Sequence, residues 1–361
     1  QTVRNQHATH FTNLLHQHNK DIHGKNQKHI LKGILADIEN IRFAWHWIVV
    51  QQDERAIDSI YEILAAIYEL CGWLHEGESI FGEALSHCQS FAADKRDAKR
   101  AIEGKLMARL AFFSHRLGKY TQAKEQFQHS YQLLLSANSD YETVYCLNNL
   151  GEIFRIEGNY DEASRLLTEA IDLCKLHNFR LRHGRVLNTL AILNGTRGEY
   201  TLARQYLDES LRIGESIEDQ LGIAKALNNL GILAYFAQDY GTAISFYRRC
   251  LAINQEMGHQ YDAALALSNI GMAMQKQGDY KNAVKLLRES SDMLKRIGYE
   301  LGVGLTLVSL SSALLDLGQR EESTTHYLEV LYLGRKIHSK PLILAAIAGA
   351  ASIYEAMGHL E

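Results

Sequence analysis

The sequence predicts an all-α protein built as a right-handed solenoid of helix hairpins, and three observations carry that prediction. Gly118, Gly158, Gly198, Gly278, Gly318 and Gly358 fall on one 40-residue grid, interrupted only at Gln238. Ala123, Ala163, Ala203, Ala243 and Ala283 repeat at the same period, with Ser323 as the substitution. Asn138, Asn178, Gly258 and Gly298 mark a second boundary on the same grid. An integer period held without insertion means stacked copies of one unit.

Val144 to His183 serves as the type unit. Leu150, Gly151 and Phe154 recur at helical spacing, Gly158-Asn159-Tyr160 interrupts, and Ala163, Leu167 and Ala170 resume the spacing, which reads as helix, tight turn, helix. Gly151 and Ala163 are small where the two helices must approach closely. Tyr160, Tyr200, Tyr240 and Tyr280 are expected to wedge each turn against the next unit. Asn and Gly tolerate the left-handed conformation that ends a helix, so the second boundary is a row of helix stops. Glu218 and His338 break that row and are the weaker stops. Ser339 offers an N-cap for a last helix whose first turn holds Pro341, the one proline in the chain.

Units are expected at about 57–103, 104–143, 144–183, 184–223, 224–263, 264–303 and 304–343, with a partial copy at 344–361. Residues 1–56 lie off the grid and read as an N-terminal helical junction or cap. His7, His10, His16, His18, His23 and His29 crowd that segment, but no Cys or carboxylate completes a recognised metal set. The polar pattern reads as a solvated helix face, so neither metal nor cofactor is expected. Trp45 and Trp47 are expected to cover the first repeat.

Net charge is −4, from 38 Lys and Arg against 42 Asp and Glu. A global electrostatic drive towards nucleic acid or anionic membrane is therefore not expected. No apolar run approaches the roughly 18 residues of a bilayer span, and no signal peptide is seen, which leads to the expectation of a soluble cytoplasmic chain. Cys71, Cys88, Cys146, Cys174 and Cys250 are scattered at interior helix positions and read as buried thiols. Ala345, Ala346, Ile347, Ala350, Ala351 and Ile353 supply no polar cap to the last helix, which predicts either a piece of a longer protein or self-association through that end.

Asn149-Leu150-Gly151, Phe154, Gly158, Tyr160, Ala163, Leu167 and Ala170 resemble the signature of the tetratricopeptide repeat, and Asn229-Leu230-Gly231, Tyr235, Tyr240, Ala243 and Tyr247 follow it nearly as well. The resemblance covers about residues 57 to 361. The period exceeds the usual 34 residues by six, and the proline that normally ends the second helix is absent. Helices of about 17 residues, about 25 Å long, account for both departures. Asp37-Ile38-Glu39-Asn40-Ile41-Arg42-Phe43-Ala44-Trp45 is similar to the Glu-x-x-Asn-Leu-Arg-x-Ala-x-x-Trp helix joining the nucleotide-binding module to the repeat array in bacterial signal-transduction ATPases with numerous domains. His7, Ala8 and Phe11 resemble the start of the same junction. That likeness implies a sensor array with its ATPase engine upstream of Gln1.

The resemblance further implies that the first helix of each hairpin lines a concave groove for extended peptides or partner helices. Asn148, Asn149, Asn188, Asn228, Asn229 and Asn269 recur there, and an amide can both donate to and accept from a peptide backbone. Adaptors with Leu-Gly-Asn repeats carry a similar ladder. The alternative is that these amides bond to neighbouring helices. Arg155, Arg185 and Lys225 join Lys105, His115 and Arg116 as a basic set on this face. Leu265, Met272, Leu305, Val308 and Leu315 make the later part apolar, and Tyr235 with Phe236 stands between as an anchor. A ligand with acidic and hydrophobic portions is expected. No nucleophile with a base, no paired carboxylates and no phosphate-cradling loop emerges, which argues against an enzyme. Two roles remain: the ligand-sensing domain of a signalling ATPase, responding to a protein, peptide or small-molecule inducer, or a free-standing adaptor.

Overall fold

The computed structural model describes residues 1–19, 22, 24, 26–90 and 97–356. His23 and the Gly358 turn therefore lie outside the described residues. Those described form helices joined by short turns, with no strand among them. Three helices come first: α1 (Thr2–His18), α2 (Gln27–Ala36) and α3 (Ile38–Val50). Hairpins follow as α4 (Glu54–Leu70) with α5 (Leu74–Ser90), α6 (Asp97–Arg116) with α7 (Tyr120–Ser136), α8 (Asp140–Ile156) with α9 (Tyr160–His177), and α10 (Arg180–Thr196) with α11 (Tyr200–Ile217). The series continues with α12 (Gln220–Phe236) and α13 (Tyr240–Met257), α14 (Gln260–Lys276) and α15 (Tyr280–Ile297), α16 (Glu300–Asp316) and α17 (Arg320–Lys336), then α18 (Lys340–Ala356). The fold is an all-α repeat solenoid.

Both boundaries of the 40-residue unit are made by one backbone device. Gly158 (φ 79°) and Asn178 (φ 54°) are left-handed, as are their grid equivalents, including Gln238 (φ 61°). Glu218 (φ 58°) and His338 (φ 53°) adopt the same conformation, so the two stops that residue type made weakest are stops all the same. Around Gly158 the amide of Asn159 donates to Phe154 O (2.9 Å) and that of Gly158 to Arg155 O (3.1 Å), the paired bonds that satisfy orphan carbonyls at a helix end. The next residue then caps the following helix: Asn159 Oδ1 accepts from the Glu162 amide, and Asp239 and Asp279 do the same for α13 and α15. One turn thus closes one helix and opens the next within three residues.

Side-chain size explains the closeness within each hairpin. A Cβ built on Gly151 would sit 2.7 Å from Leu167 Cγ, and one on Gly271 would sit 2.7 Å from Leu287 Cγ. A second device has an 80-residue period: Ser130, Ser210 and Ser290 each donate at 2.7 Å to a carbonyl 26 residues back, those of Gly104, Gly184 and Ala264. Ala170 and Cys250 stand at the intervening copies and are buried without needing that bond. Burial lifts the thiols of Cys71 and Cys88 to about 11 and those of Cys146, Cys174 and Cys250 to about 12.

The chain divides into two compact units, residues 1–222 and 223–361. In the first, α1 and α3 pack on α4, and Trp45 on α3 is buried with its ring 5.6 Å from that of Phe81 on α5. Trp47 turns the other way: its Nε1 donates to Asn5 Oδ1 (2.9 Å) and Arg4 lies over its ring. Trp47 is also half-buried against the core that α1, α3 and the first hairpin share. Arg42 joins α3 to that hairpin through Glu76 and the Tyr68 hydroxyl, with its guanidinium 5.1 Å above Trp73. In the second unit, the core runs through Ala264, Leu287, Leu307, Leu314 and Leu342. Leu344, Ile347 and Tyr354 on α18 are exposed, whereas Leu307, the grid equivalent of Ile347, is buried. No described helix is long and apolar enough to cross a membrane.

Candidate functional site

Within each unit the first helices of successive hairpins lie beside one another: α4, α6, α8 and α10 in the first, and α14, α16 and α18 in the second. Of the residues expected in the groove, Asn148, Asn149, Arg155, Arg185, Asn188, Asn228, Asn229, Tyr235 and Asn269 are half-buried, and Lys225 is exposed.

In the first unit, Asn149 Nδ2 donates to the carbonyl of Tyr145 one turn back (2.8 Å), and Asn148 Oδ1 is buried with no hydrogen-bond partner among the described residues. Arg155 is held by a two-pronged bond to Glu152 at 2.7 and 2.8 Å. Arg185 Nε lies 4.0 Å from Asp219, and its Nη2 is buried without a hydrogen-bond partner. In the second unit, Asn269 Nδ2 donates to Asn228 Oδ1 at 3.0 Å between α14 and α12, and Asn228 Nδ2 lies 3.4 Å from Asn229 Oδ1. At that pair the amides bond to a neighbouring helix. Tyr235 packs its ring 5.5 Å from Tyr240 and 6.0 Å from Phe236, which is itself exposed.

The first unit also holds a buried charge cluster that was not among the residues expected from the sequence. Glu62 on α4, Arg109 on α6, Glu142 on α8 and Arg182 on α10 meet in the interior of the first unit. Glu142 Oε1 accepts from Arg182 Nη2 at 2.8 Å, and its Oε2 lies 2.9 Å from Arg109 Nη2. Arg182 Nη2 also donates to Glu62 Oε1 at 3.1 Å, across 120 residues of sequence. Arg109 stacks 4.0 Å over Tyr145, and Arg182 lies 4.4 Å over Tyr141. Such stacking stabilises a guanidinium that has lost its water. Burial would push the Glu142 carboxyl up, but Arg109 and Arg182 outweigh it and hold the group below the usual carboxylate range. The same carboxylates overcome burial at Arg109 and Arg182, raising both guanidiniums. Two signals were available: Arg182 stands one period after Glu142 with opposite charge, and Arg109 stands one period before Asn149 of the ladder. No group of three or more potential metal ligands converges among the described residues.

A family model described as tetratricopeptide repeat matches residues 102–175, 183–256 and 223–296. No curated protein matches the sequence. Among solved structures, a signal transduction ATPase with numerous domains and a tetratricopeptide repeat sensor, from Pyrococcus horikoshii, is 14% identical with a TM-score of 0.61; the match covers 95% of this chain and 50% of that one. This chain thus spans half the length of that ATPase. A Rap protein complexed with Competence and Sporulation Factor is 12% identical with a TM-score of 0.59, over 98% of this chain and 99% of that one. BtubC (BKLC) from P. vanneervenii is 16% identical with a TM-score of 0.51, over 63% of this chain and 92% of that one. At these identities the likenesses are of fold alone. The family model, by contrast, matches more than half of the chain in copies that follow the helix hairpins, and the chain belongs to the tetratricopeptide-repeat family.

Proposed function

We propose that this chain is a non-catalytic recognition module that captures a peptide or protein segment on the faces of its first helices, and that it serves as the sensor of a larger regulator of the signal-transduction ATPase type. One observation carries the choice of sensor over adaptor. The sensor-bearing ATPase and the factor-bound Rap protein match this chain over 95% and 98% of its length, more than the hairpins alone make up, whereas the BtubC match covers 63%. Arg42, in the segment that resembles the ATPase junction, fastens α3 to the first hairpin. A rigid joint of that kind is what a sensor needs in order to pass a change in its array to a preceding domain.

The test is direct capture. A peptide array and an oligosaccharide set are screened by thermal shift, and each hit is re-measured with the Asn149→Ala/Asn229→Ala variant. Loss of roughly 1 to 3 kcal/mol in binding a peptide hit is expected, the range for polar groups left unpaired. Unchanged affinity in a folded variant removes these amides from the site. A coding sequence upstream of Gln1 without a P-loop would favour the free-standing adaptor.

A further inference from the structure

The hairpin of α16 and α17 departs from the repeat code along one edge. The position of Leu328 on α17 is held in earlier copies by Gln128, Thr168, Asp208, Arg248 and Arg288, and Tyr332 stands where the preceding copy has Asp292. In that preceding copy the edge looks towards the next second helix: Arg288 on α15 pairs with Glu322 on α17, and Lys295 Nζ lies 2.8 Å from Glu329 Oε1. Leu328 and Tyr332 are 63% and 65% exposed. Five earlier copies carry polar side chains at the Leu328 position, so packing within a hairpin does not demand leucine there. The apolar edge calls for a partner outside the hairpin.

Helix α18 packs on α17 and presents a second apolar surface. Leu342, Ala346, Gly349 and Ile353 form its buried stripe. Leu344, Ile347, Ala351 and Tyr354 form another that is exposed, although the equivalent Gly304, Leu307, Ser311 and Leu314 of α16 are buried. Steps of three and four residues make the exposed stripe a seam for a second helix. The seam is self-complementary. Under a twofold axis level with Gly349, antiparallel pairing sets Leu344 against Tyr354 of the other copy and Ile347 against Ala351, so large residues meet smaller ones. Helical spacing puts Lys340 and Glu355 at opposite ends of the same stripe. Antiparallel pairing brings these opposite charges within a turn of each other, whereas parallel pairing sets like charges together. Leu328, Tyr332, Leu344, Ile347 and Tyr354 expose on the order of 600 Å² per copy, so a pair covers about 1,200 Å², the size at which specific interfaces begin. We propose that this chain pairs with a second copy of itself through α18 and the Leu328 edge of α17, as an antiparallel twofold dimer. One rotation matches side-chain size and end charge together, which is what an isologous interface requires.

The experiment is sedimentation velocity on the 361-residue chain from about 1 to 100 μM, where a concentration-dependent shift from monomer to dimer is expected. Ile347→Glu and Ala351→Lys each place an unpaired charge in the seam and should weaken pairing about tenfold or more. An equimolar mixture of the two should pair again, because the new carboxylate of one copy faces the new ammonium of the other. Leu176→Glu, at an exposed leucine on α9, should leave pairing unchanged. The proposal is overturned by a wild-type monomer at about 100 μM, by open-ended oligomers, by Ile347→Glu pairing as tightly as wild type, or by a mixture no tighter than its components. Should the variants not fold by circular dichroism, hydrogen exchange of the wild-type chain decides. Slower exchange in α18 at the high concentration supports the dimer, and equal exchange at both concentrations overturns it.

Discussion

The first helices of the two units follow the same repeat code and use it differently. In residues 1–222 their inner faces are tied across several repeats, because Arg182 on α10 reaches Glu62 on α4 as well as Glu142 on α8. Among the described residues of 223–361, polar bonds between first helices join immediate neighbours: Asn269 to Asn228, and Gln275 to Ser312 and Asp316. The grid position of Tyr145 and Arg185 is taken by Leu265 and Leu305 there, and Leu305 is exposed. A solenoid normally couples each repeat only to the next. The comparison teaches that a few charges placed on the inner face override that rule locally, while the hairpin code underneath stays the same.

The largest test of this contrast is Glu142→Ala. It leaves two buried guanidiniums short of an acceptor and should cost about 3 to 5 kcal/mol in urea unfolding. Asp262→Ala, at the same grid position in the second unit, removes a half-exposed carboxylate 3.8 Å from His259 and should cost less than about 0.5 kcal/mol. Similar losses at the two sites would break the comparison. The Glu142 contribution also has a definite sign with pH. A carboxyl held below its ordinary range stabilises the fold fully above the usual carboxylate range, and loses that contribution as pH falls through the depressed folded value. The Glu142→Ala variant should therefore lie closer to wild type in acid than at neutral pH.

A middle-sized effect tests what the units share. Gly151→Ala and Gly271→Ala each drive a Cβ into a leucine of the paired helix, so both should lose about 1 to 3 kcal/mol. A large difference between them would show that hairpin packing is not uniform. Asn269→Ala should cost about 1 kcal/mol through the lost bond to Asn228. Smallest of all, Glu218→Gly and His338→Gly relieve left-handed backbone at a non-glycine residue and should each gain up to about 1 kcal/mol, read as a rise in Tm.

Much of the fold was legible before any coordinates. Gly158, Asn178 and Gly151 report local geometry, and a local requirement recurs wherever the unit recurs. Even Glu218 and His338 turn left-handed, because the stacked neighbours dictate the chain path when the residue does not prefer it. For the candidate residues, helix position was legible but hydrogen-bond partner was not. Arg155 reads in the sequence as one of a basic set on the groove face, yet Glu152 one turn away holds it, and Trp47, expected on the first repeat, also bonds to α1.

What the sequence determined by itself is the hairpin, its length and its two turns, since these depend on contacts within about 40 residues that the period displays directly. Glu142 and Arg182 stand one repeat period apart, but tertiary structure alone decided that they meet with Arg109 and Glu62, and the pairing of Glu62 with Arg182 exists only because stacking brings α4 to α10. Charge at a buried position is costly unless matched. The stacking of α4, α6, α8 and α10 supplies the match, and no local pattern records it.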